Sequence, residues 1–388
     1  MRILHVTLGL ETSGGGGNRA PAELCQSLGA IGVDVDLFTL DHGDPDCFQP
    51  RETRVTHFAP DSVLSLLEYS AEMAEALCRT IPETDLVHVH CMWRWPNIAA
   101  ARISRRLGVP YVVQPHGSLD PWRLKQKRLR KWLWGKLFER EALKDAAFIH
   151  VESEYDRKGV ERYLPDAKTV VSPCGAFRES FDSTPPDDYL AAKWPQLAGK
   201  KCVLFLSRID VMKGLDLLLE AFVPIAAARE DVAILVIGND HAGLVPRLKS
   251  FCERNGIADR VVWAGPIWGD ERFWAMKQCD VYVHPSKSDN FGISVLEAMF
   301  CGAPILTTTG TPWQELADNK AGMVVEPSGD AIRRGLEGML SFSEAERADL
   351  GSNARTLALQ KYEWEPIARE LVKHYERAIS ENRRRRAA

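Results

Sequence analysis

The sequence predicts an α/β protein built from two Rossmann-like, doubly wound parallel-sheet domains that face each other across a cleft. The chain has 388 residues, which is too long for one ordinary core. Short runs rich in valine and isoleucine alternate with longer helical patterns, as in β-α-β units. A polar, proline-rich stretch at 178–200 separates two such series, and we predict that it is the linker between the domains.

The predicted elements form two series. The strands of the first series are predicted at 2–8, 33–39, 86–90, 110–114 and 147–151, with helices such as 20–30 and 96–107. The strands of the second series are predicted at 201–207, 232–238, 261–264, 280–284, 304–308 and 322–325, with helices at 214–228, 243–255, 270–278 and 292–300. The resulting domains are 1–180, 181–363 and a C-terminal helix within 364–388 that crosses back towards the first domain.

Composition narrows the functional classes. Hydrophobic residues make up 45% of the chain and charged residues 26%, as in a globular protein. The net charge of −4 gives no reason to expect nucleic-acid binding. The nine cysteines include no C-x-x-C pair, which favours reduced thiols over a disulfide framework or a zinc site. No apolar run is long enough to span a membrane, so we expect a cytoplasmic protein.

A glycine-rich segment, Ser13-Gly-Gly-Gly-Gly-Asn18-Arg19, follows the first strand and precedes a helix. Glycines let the backbone approach a ligand closely, and the N–H groups of a helix N-terminus favour an anion. The segment matches neither the dinucleotide fingerprint nor the P-loop. A flexible turn is the alternative, but four consecutive glycines cost conformational entropy, so we favour ligand contact.

Two cations follow the first strand of the second series, at Arg208 and Lys213. Ligands bind at the carboxyl ends of strands in doubly wound sheets. The two side chains are therefore placed to clamp a diphosphate, although two solvated side chains on a turn would show the same pattern.

Two acids with seven residues between them lie in Pro285-Ser-Lys-Ser-Asp289-Asn-Phe-Gly292-Ile-Ser-Val-Leu-Glu297. Asp289 is predicted in the loop after a strand, and Glu297 about a turn and a half into the following helix. Because Gly292 opens that helix, its N–H groups are placed to face a phosphate. Taken alone, Glu297 is better explained as an ordinary glutamate on the surface of a helix.

Together these features resemble the family 4 retaining glycosyltransferases of GT-B fold. The resemblance covers nearly the whole chain. Its motifs are the glycine-rich loop, Gln114-Pro-His116-Gly, the Arg208 and Lys213 pair, the two acids followed by Cys301-Gly-Ala-Pro304, and Tyr362-Glu-Trp-Glu-Pro. The segment of acids and helix is the most specific of them.

The resemblance implies a role for each matching residue. Arg208 and Lys213 are expected to hold the donor diphosphate, and Glu297 the ribose hydroxyls of the nucleotide. Asp289 is expected to meet the donor sugar, where the family commonly has a glutamate, one methylene longer. The backbone N–H groups around Asn290, Phe291 and Gly292 are expected to face the phosphates, with Gly15 and Gly16 approaching the donor from the first domain.

His116 is expected near the transferred sugar, because it follows a strand and matches the family motif; a structural loop histidine is the alternative. The implied donor is a nucleoside diphosphate sugar, and we expect no cofactor and no metal. His88, His90 and His284 lie on or at the ends of predicted strands, without a matching carboxylate or cysteine set, so we predict no metal site there.

The segment 121–140 interleaves cations with Trp, Leu and Phe, and Glu139 is its only acid. Tryptophan with Lys and Arg suits the headgroup region of an anionic bilayer. Packing of the apolar side within the domain remains an alternative. We predict peripheral contact with the inner face of the cell membrane, and hence a lipid-linked or lipopolysaccharide-type glycan as acceptor.

The predicted reaction is retaining transfer of a hexose from the donor to an acceptor hydroxyl in polysaccharide biosynthesis. Three alternatives remain open from the sequence: transfer to a small soluble acceptor, a nucleotide-sugar epimerase of related architecture, and a donor-binding subunit without catalysis. Product analysis separates transfer from the last two alternatives. Transfer gives a sugar adduct, an epimerase gives an epimer of the donor sugar, and a donor-binding subunit leaves the ligand unchanged.

Overall fold

The chain divides into two compact units, each described by itself below. The computed structural model describes residues 1–61, 68–126, 128–240 and 242–387, except the side chain of Ser13. The first unit consists of Met1–Gly175 and Trp364–Ala388, and the second of Ala176–Glu363. The boundary after Gly175 lies a few residues before the predicted one, and the C-terminal helix belongs to the first unit.

The strands and helices of the described residues have the following bounds. The strands are β1 (Arg2–Val6), β2 (Asp34–Leu40), β3 (Arg54–Phe58), β4 (Leu86–His90), β5 (Tyr111–Gln114), β6 (Phe148–Val151), β7 (Thr169–Val171), β8 (Lys201–Leu206), β9 (Val232–Ile237), β10 (Val261–Gly265), β11 (Val281–His284), β12 (Ile305–Thr308) and β13 (Met323–Val325). The α-helices are α1 (Gly16–Ala30), α2 (Ala71–Thr80), α3 (Trp95–Leu107), α4 (Pro121–Lys125), α5 (Arg128–Trp134), α6 (Arg140–Asp145), α7 (Glu154–Tyr163), α8 (Tyr189–Lys193), α9 (Leu215–Ala228), α10 (Val245–Arg254), α11 (Asp270–Gln278), α12 (Ile293–Cys301), α13 (Glu315–Asp318), α14 (Gly329–Ser341), α15 (Glu344–Lys361) and α16 (Trp364–Ala387).

Both sheets are parallel, which confirms the predicted fold class. The first unit has the strand order β3-β2-β1-β4-β5-β6-β7, and the second has β10-β9-β8-β11-β12-β13. The order reverses between β1 and β4 in the first sheet and between β8 and β11 in the second. Ligands of doubly wound sheets bind at such reversals, beyond the carboxyl ends of the strands.

Every predicted strand is present within about two residues, but β3 and β7 were not predicted. β3 is an edge strand that exposes Thr56 and His57, so it lacks the apolar run of a buried parallel strand. β7 has only three residues and also lies at an edge. Helix α1 begins at Gly16, earlier than the predicted 20–30, because Gly16 and Gly17 form its first turn.

The prediction that 178–200 is a linker is wrong. This segment belongs to the second unit, and Phe181 and Leu197 in it are buried. The ring of Phe181 stacks on Phe300 with centroids 4.9 Å apart, and the indole of Trp274 donates to Ser183 Oγ at 2.6 Å. A segment without periodicity can therefore pack through a few apolar anchors, which composition alone does not reveal.

Helix α16 completes the core of the first unit. Its residues Ala368, Leu371 and Tyr375 are fully buried, and the helix packs against α1. The Tyr375 hydroxyl lies 2.7 Å from Nδ1 of His88 on β4. None of the helices in the described part of the chain is sufficiently long and apolar to cross a bilayer.

Candidate functional site

Two of the sequence motifs meet at the switch point of the second sheet. The loop 207–214 follows β8 and the loop 285–292 follows β11, and these two strands are neighbours. The backbone N–H of Lys287 donates to the Met212 carbonyl at 2.7 Å, and Ser286 Oγ donates to the same carbonyl at 2.9 Å. The sheet order and these hydrogen bonds together place the predicted diphosphate motif beside the predicted sugar motif.

Glycine at position 214 allows the two loops to approach each other. Gly214 has φ +70°, in the left-handed region, and caps the N-terminus of α9. A Cβ atom at this position would lie 2.0 Å from the carbonyl oxygen of Pro285. Just before it, Asp210 caps the 3₁₀ turn Val211–Lys213 by accepting from the N–H of Met212 at 2.9 Å. The turn thereby directs Lys213 towards the second loop.

Lys213 and Asp289 form a buried ion pair. Lys213 Nζ donates to Oδ2 of Asp289, and the two side chains are only 14% and 8% exposed. His284, the last residue of β11, lies with Nε2 3.0 Å from the same oxygen. Burial raises the pKa of Asp289, but the Lys213 cation and the hydrogen bond from His284 outweigh it, so the pKa lies well below its ordinary value. Asp289 is therefore a carboxylate at neutral pH.

Helix α12 begins immediately after this carboxylate. Gly292 has φ +80° and is the N-cap of the helix. Phe291 is buried against Trp313 and Tyr362, with ring centroids 5.1 and 6.2 Å away, while Asn290 is half-buried. This aromatic packing fixes the backbone at the helix N-terminus, whose N–H groups favour a negatively charged ligand.

Glu297 lies in the second turn of α12 and is 6% exposed. Its Oε1 accepts from Nη2 of Arg272, on α11, at 3.0 Å. Arg272 is itself buried against the face of Phe273, with its guanidinium 4.4 Å from the ring centroid. Glu297 is thus a buried carboxylate held by a cation rather than the ordinary surface glutamate that the sequence left open.

Arg208 follows β8 and is half-buried. Its backbone is fixed from both sides, since Ser207 N–H donates to the Ile237 carbonyl at 3.1 Å and Ile209 N–H to the Asn239 carbonyl at 2.8 Å. Within the described ranges, no hydrogen bond or ion pair involves its guanidinium. A half-buried guanidinium with no anion beside it is suited to bind an anionic ligand.

In the first unit, the glycine-rich loop is a tight turn into a helix. Gly15 has φ +62° and is the N-cap of α1, and Gly16 is the first residue of that helix. The amide of Asn18 donates to Oε2 of Glu11 at 2.9 Å and to the Glu11 carbonyl at 3.1 Å, which ties the first turn back to the preceding loop. The glycine-rich segment therefore leads directly into the first turn of α1.

His116 is buried, and both of its ring nitrogens have partners. Its Nδ1 lies 2.7 Å from Oε1 of Glu152, and its Nε2 lies 3.1 Å from Nδ1 of His90. Its φ of +49° is uncommon for a residue other than glycine. A sugar contact through this ring would have to replace the hydrogen bond with His90, so the predicted contact of His116 stays a prediction.

A line of buried hydrogen bonds runs from Glu152 through His116 and His90 to His5. Burial raises the pKa of Glu152, but His116 lowers it more, and the net pKa lies below the ordinary value. An ionised Glu152 can only accept, so Nδ1 of His116 donates to it. The pKa of His90 lies well below its ordinary value because of burial, so His90 is neutral, and one of its ring nitrogens donates while the other accepts. Its Nε2 lies 2.9 Å from Nδ1 of His5.

His5, His88 and His90 are close enough to suggest a metal site, with ligand nitrogens within 4.8 Å of one another. The ring planes argue against it. The His88 and His90 rings stack with centroids 4.4 Å apart and an interplanar angle of 22°. The lone pairs of the imidazole nitrogens lie in the ring planes, so in two nearly parallel rings they do not converge on one ion. This geometry favours the hydrogen-bonded line, and the expectation of no metal stays a prediction.

The structure thus brings some predicted residues together and adds others. Lys213, Asp289 and the helix start at Gly292 are adjacent, whereas Gly15, Gly16 and His116 belong to the other unit. Sequence reasoning missed three partners of the predicted residues: Arg272, Glu152 and His284. The alternation His88-Val-His90 on β4 indicates that both histidines face the same side of the sheet, but it does not indicate which residues they contact.

Known proteins share both units. The model described as Glycosyl transferases group 1 matches residues 189–357, and the Glycosyl transferase 4-like domain matches 15–175. An uncharacterized glycosyltransferase of Methanocaldococcus jannaschii, MJ1607, is 30% identical over 381 residues, which cover 92% of this chain and 93% of that protein. A D-inositol 3-phosphate glycosyltransferase of Arthrobacter sp. is 26% identical, with 95% and 91% covered. The crystal structure of Anabaena Alr3699/HepE with UDP and glucose superposes with a TM-score of 0.78 at 20% identity, covering 96% of this chain and 98% of that one.

Proposed function

This chain belongs to the family 4 glycosyltransferases of GT-B fold, and we propose that it is a retaining enzyme that moves a hexose from a nucleoside diphosphate sugar to an acceptor hydroxyl without a metal. The observation that carries the proposal is the buried Lys213–Asp289 pair beside the N-terminus of α12. A cation and helix N–H groups suit the diphosphate, and an ionised carboxylate next to them suits a sugar hydroxyl.

The proposed chemistry breaks the bond between the anomeric carbon and the phosphate oxygen and forms one to the acceptor oxygen. Positive charge develops on the sugar ring while negative charge grows on the leaving diphosphate. Arg208 and Lys213, with the helix N–H groups at Gly292, stabilise that negative charge. In front-face transfer, the acceptor hydroxyl gives its proton to the departing phosphate oxygen. That route retains the anomeric configuration without an enzymic nucleophile.

Glu297→Ala tests the donor site. We expect it to weaken nucleotide binding by about tenfold to a hundredfold, because the variant loses hydrogen bonds from the ribose hydroxyls to a charged group. Calorimetry with UDP, GDP, ADP, CMP and their sugar conjugates measures this loss and identifies the base. UDP comes first, since the Anabaena neighbour was crystallised with it.

Two further variants control for folding. Glu297→Gln keeps an acceptor oxygen for Arg272, and Glu337→Ala removes an exposed glutamate of α14 that pairs with Arg333. A wild-type protein that is folded but binds none of the panel would overturn the proposed function. If the wild type binds a nucleotide sugar, product analysis identifies the reaction. An epimer of the donor sugar would indicate an epimerase, and unchanged ligand would indicate a non-catalytic donor-binding subunit.

We propose a lipid-linked or lipopolysaccharide-type glycan as the acceptor. The support is an apolar surface on α5 and the π-helical segment Gly135–Glu139. It exposes Leu129, Trp132, Leu133 and Leu137 by 78%, 60%, 45% and 53%. Large exposed apolar groups in one cluster indicate an interaction surface.

The charges around this surface are positive, which favours the inner face of an anionic membrane as the partner. Exposed cations surround it, and Lys136 Nζ lies 5.6 Å from the Trp132 ring centroid. Glu139, the only acid of 121–140, points inward and accepts from the N–H of Trp93 at 2.6 Å; burial raises its pKa to about 7. Lys127, which belongs to the predicted basic segment, lies outside the described residues.

Neutralising three cations tests membrane contact. We expect the combined change Arg128→Gln, Arg130→Gln and Lys136→Gln to weaken binding to vesicles rich in phosphatidylserine by about a hundredfold, at ~1 kcal/mol for each charge. Vesicle flotation measures the change. The matched control neutralises three exposed cations elsewhere in the first unit: Arg79, Arg162 and Lys168. Unchanged flotation would remove the membrane argument and favour a soluble acceptor, such as the D-inositol 3-phosphate of the Arthrobacter relative's name.

A further inference from the structure

The carboxylate of Asp289 is held through one of its two oxygens. Lys213 Nζ and His284 Nε2 both bond to Oδ2. In the part of the chain that the structure describes, Oδ1 receives no hydrogen bond. The backbone of Asp289 is also fixed, because its N–H donates to the Gly310 carbonyl at 2.8 Å. One oxygen is therefore anchored, and the other is left to accept from a ligand.

His284 is a fully enclosed donor to this carboxylate. It is 1% exposed at the end of β11, where Thr307 Oγ1 donates to its carbonyl oxygen at 3.1 Å. Burial lowers the pKa of His284, so the ring is neutral. Because Asp289 is ionised and can only accept, the proton lies on Nε2. Nδ1 is then an acceptor, and Ser294 Oγ and the Tyr282 hydroxyl lie 3.4 and 3.3 Å from it.

We propose that His284 is a positioning residue for the donor sugar, which anchors Oδ2 of Asp289 so that Oδ1 accepts from a sugar hydroxyl. The proposal deepens the proposed function and rests on it. Lys213 is shared with the donor diphosphate there, so its bond to Asp289 loosens as the donor binds. His284 makes no such exchange, because it is enclosed on all sides and has no other acceptor for its Nε2 proton among the described residues.

The short side chain of Asp289 gives this anchor its importance. An aspartate carboxylate follows the Cβ directly, so the orientation of its oxygens depends on only two side-chain torsions, χ1 and χ2, and on whatever bonds to those oxygens. His284 is a hydrogen-bond donor fixed at the end of the adjacent strand, so it holds the carboxylate in one orientation more rigidly than the long side chain of Lys213 can. Loss of the His284 bond would therefore weaken recognition of the sugar while leaving the nucleotide contacts in place.

Two substitutions of His284 test the role. The amide nitrogen of His284→Gln reaches the place of Nε2 and can donate, whereas His284→Leu fills the space without a donor. The measurement is calorimetric affinity for UDP against UDP-glucose and for GDP against GDP-mannose, using the pair that the wild type binds. For His284→Leu we expect affinity for the nucleotide sugar to fall about tenfold while affinity for the free nucleotide changes by less than about twofold. His284→Gln is expected to restore most of the loss.

A second background separates positioning from folding. In Asp289→Asn, adding His284→Leu is expected to change nucleotide-sugar affinity by less than about twofold, because the anchored carboxylate is already gone. Equal losses in both backgrounds, or equal losses for nucleotide and nucleotide sugar, would overturn the inference. Absence of nucleotide binding in the wild type would instead overturn the proposed function, and this inference with it.

Discussion

Arg208→Ala is expected to lower kcat for sugar transfer by about 10²–10³-fold. Its guanidinium is half-buried at the end of β8, and no anionic side chain of the described ranges pairs with it. In the proposed reaction, this guanidinium stabilises the negative charge that grows on the leaving diphosphate. In other enzymes, removing one preorganised hydrogen-bond donor to a developing negative charge lowers kcat by about this factor. KM for the donor should rise far less, because most of the interaction forms only in the transition state.

Steady-state kinetics with the donor that calorimetry identifies measures the effect. Arg208→Lys separates charge from shape: a lysine keeps the charge but lacks the planar fork that binds two phosphate oxygens, so partial recovery is expected. Arg333→Ala, which removes a half-buried arginine of α14 that pairs with Glu337, is the matched control and should retain full activity. A kcat within about threefold of the wild type for Arg208→Ala would contradict the assigned role.

Gly214→Ala is expected to destabilise the second unit by about 2–5 kcal/mol. Left-handed backbone costs an L-residue about 1–2 kcal/mol. The new Cβ would also lie 2.0 Å from the carbonyl oxygen of Pro285, and overpacking of this kind costs ~1–3 kcal/mol. This contact involves a backbone atom, so no side chain can move aside to relieve it. The loops that carry Lys213 and Asp289 would separate, and nucleotide-sugar binding should fall with stability.

Thermal unfolding checks this prediction, with a fall in Tm on the order of 10 °C. Gly199→Ala provides the matched control, because Gly199 has φ +68° but a Cβ there would meet no described atom within 4 Å. Gly199→Ala should therefore show only the loss of stability that left-handed backbone causes for an alanine. Equal changes in Tm for the two variants would mean that the close approach to Pro285 contributes nothing.

The fold was predictable because buried parallel strands read as continuous apolar runs. Val281–His284 and Val232–Ile237 are buried along their whole length, and both were found from their composition. The edge strand Arg54–Phe58 has no such run and was missed. The linker prediction for 178–200 was wrong for a different reason, because a polar composition conceals isolated buried residues such as Phe181.

The candidate site was predictable only where residues lie close in sequence. Asp289, Gly292 and Glu297 share one loop and helix, so their spacing carries the information. Their partners Lys213 and Arg272 come from other elements, and only the folded chain brings them within hydrogen-bond reach. The line from Glu152 through His116 depends on side chains of three strands or strand ends, which no local pattern specifies.

The position of α16 has a consequence for how the protein is made. The first unit needs Leu371 and Tyr375 from the end of the chain to close its core, yet the whole second unit is translated in between. At roughly 5–20 residues per second, the ribosome takes on the order of ten seconds or more to cover that interval. During this time the nascent first unit exposes the face of α1 that α16 later covers. The second unit, being continuous in sequence, can complete its fold first, and a chain that stops before Trp364 leaves the first unit unfinished.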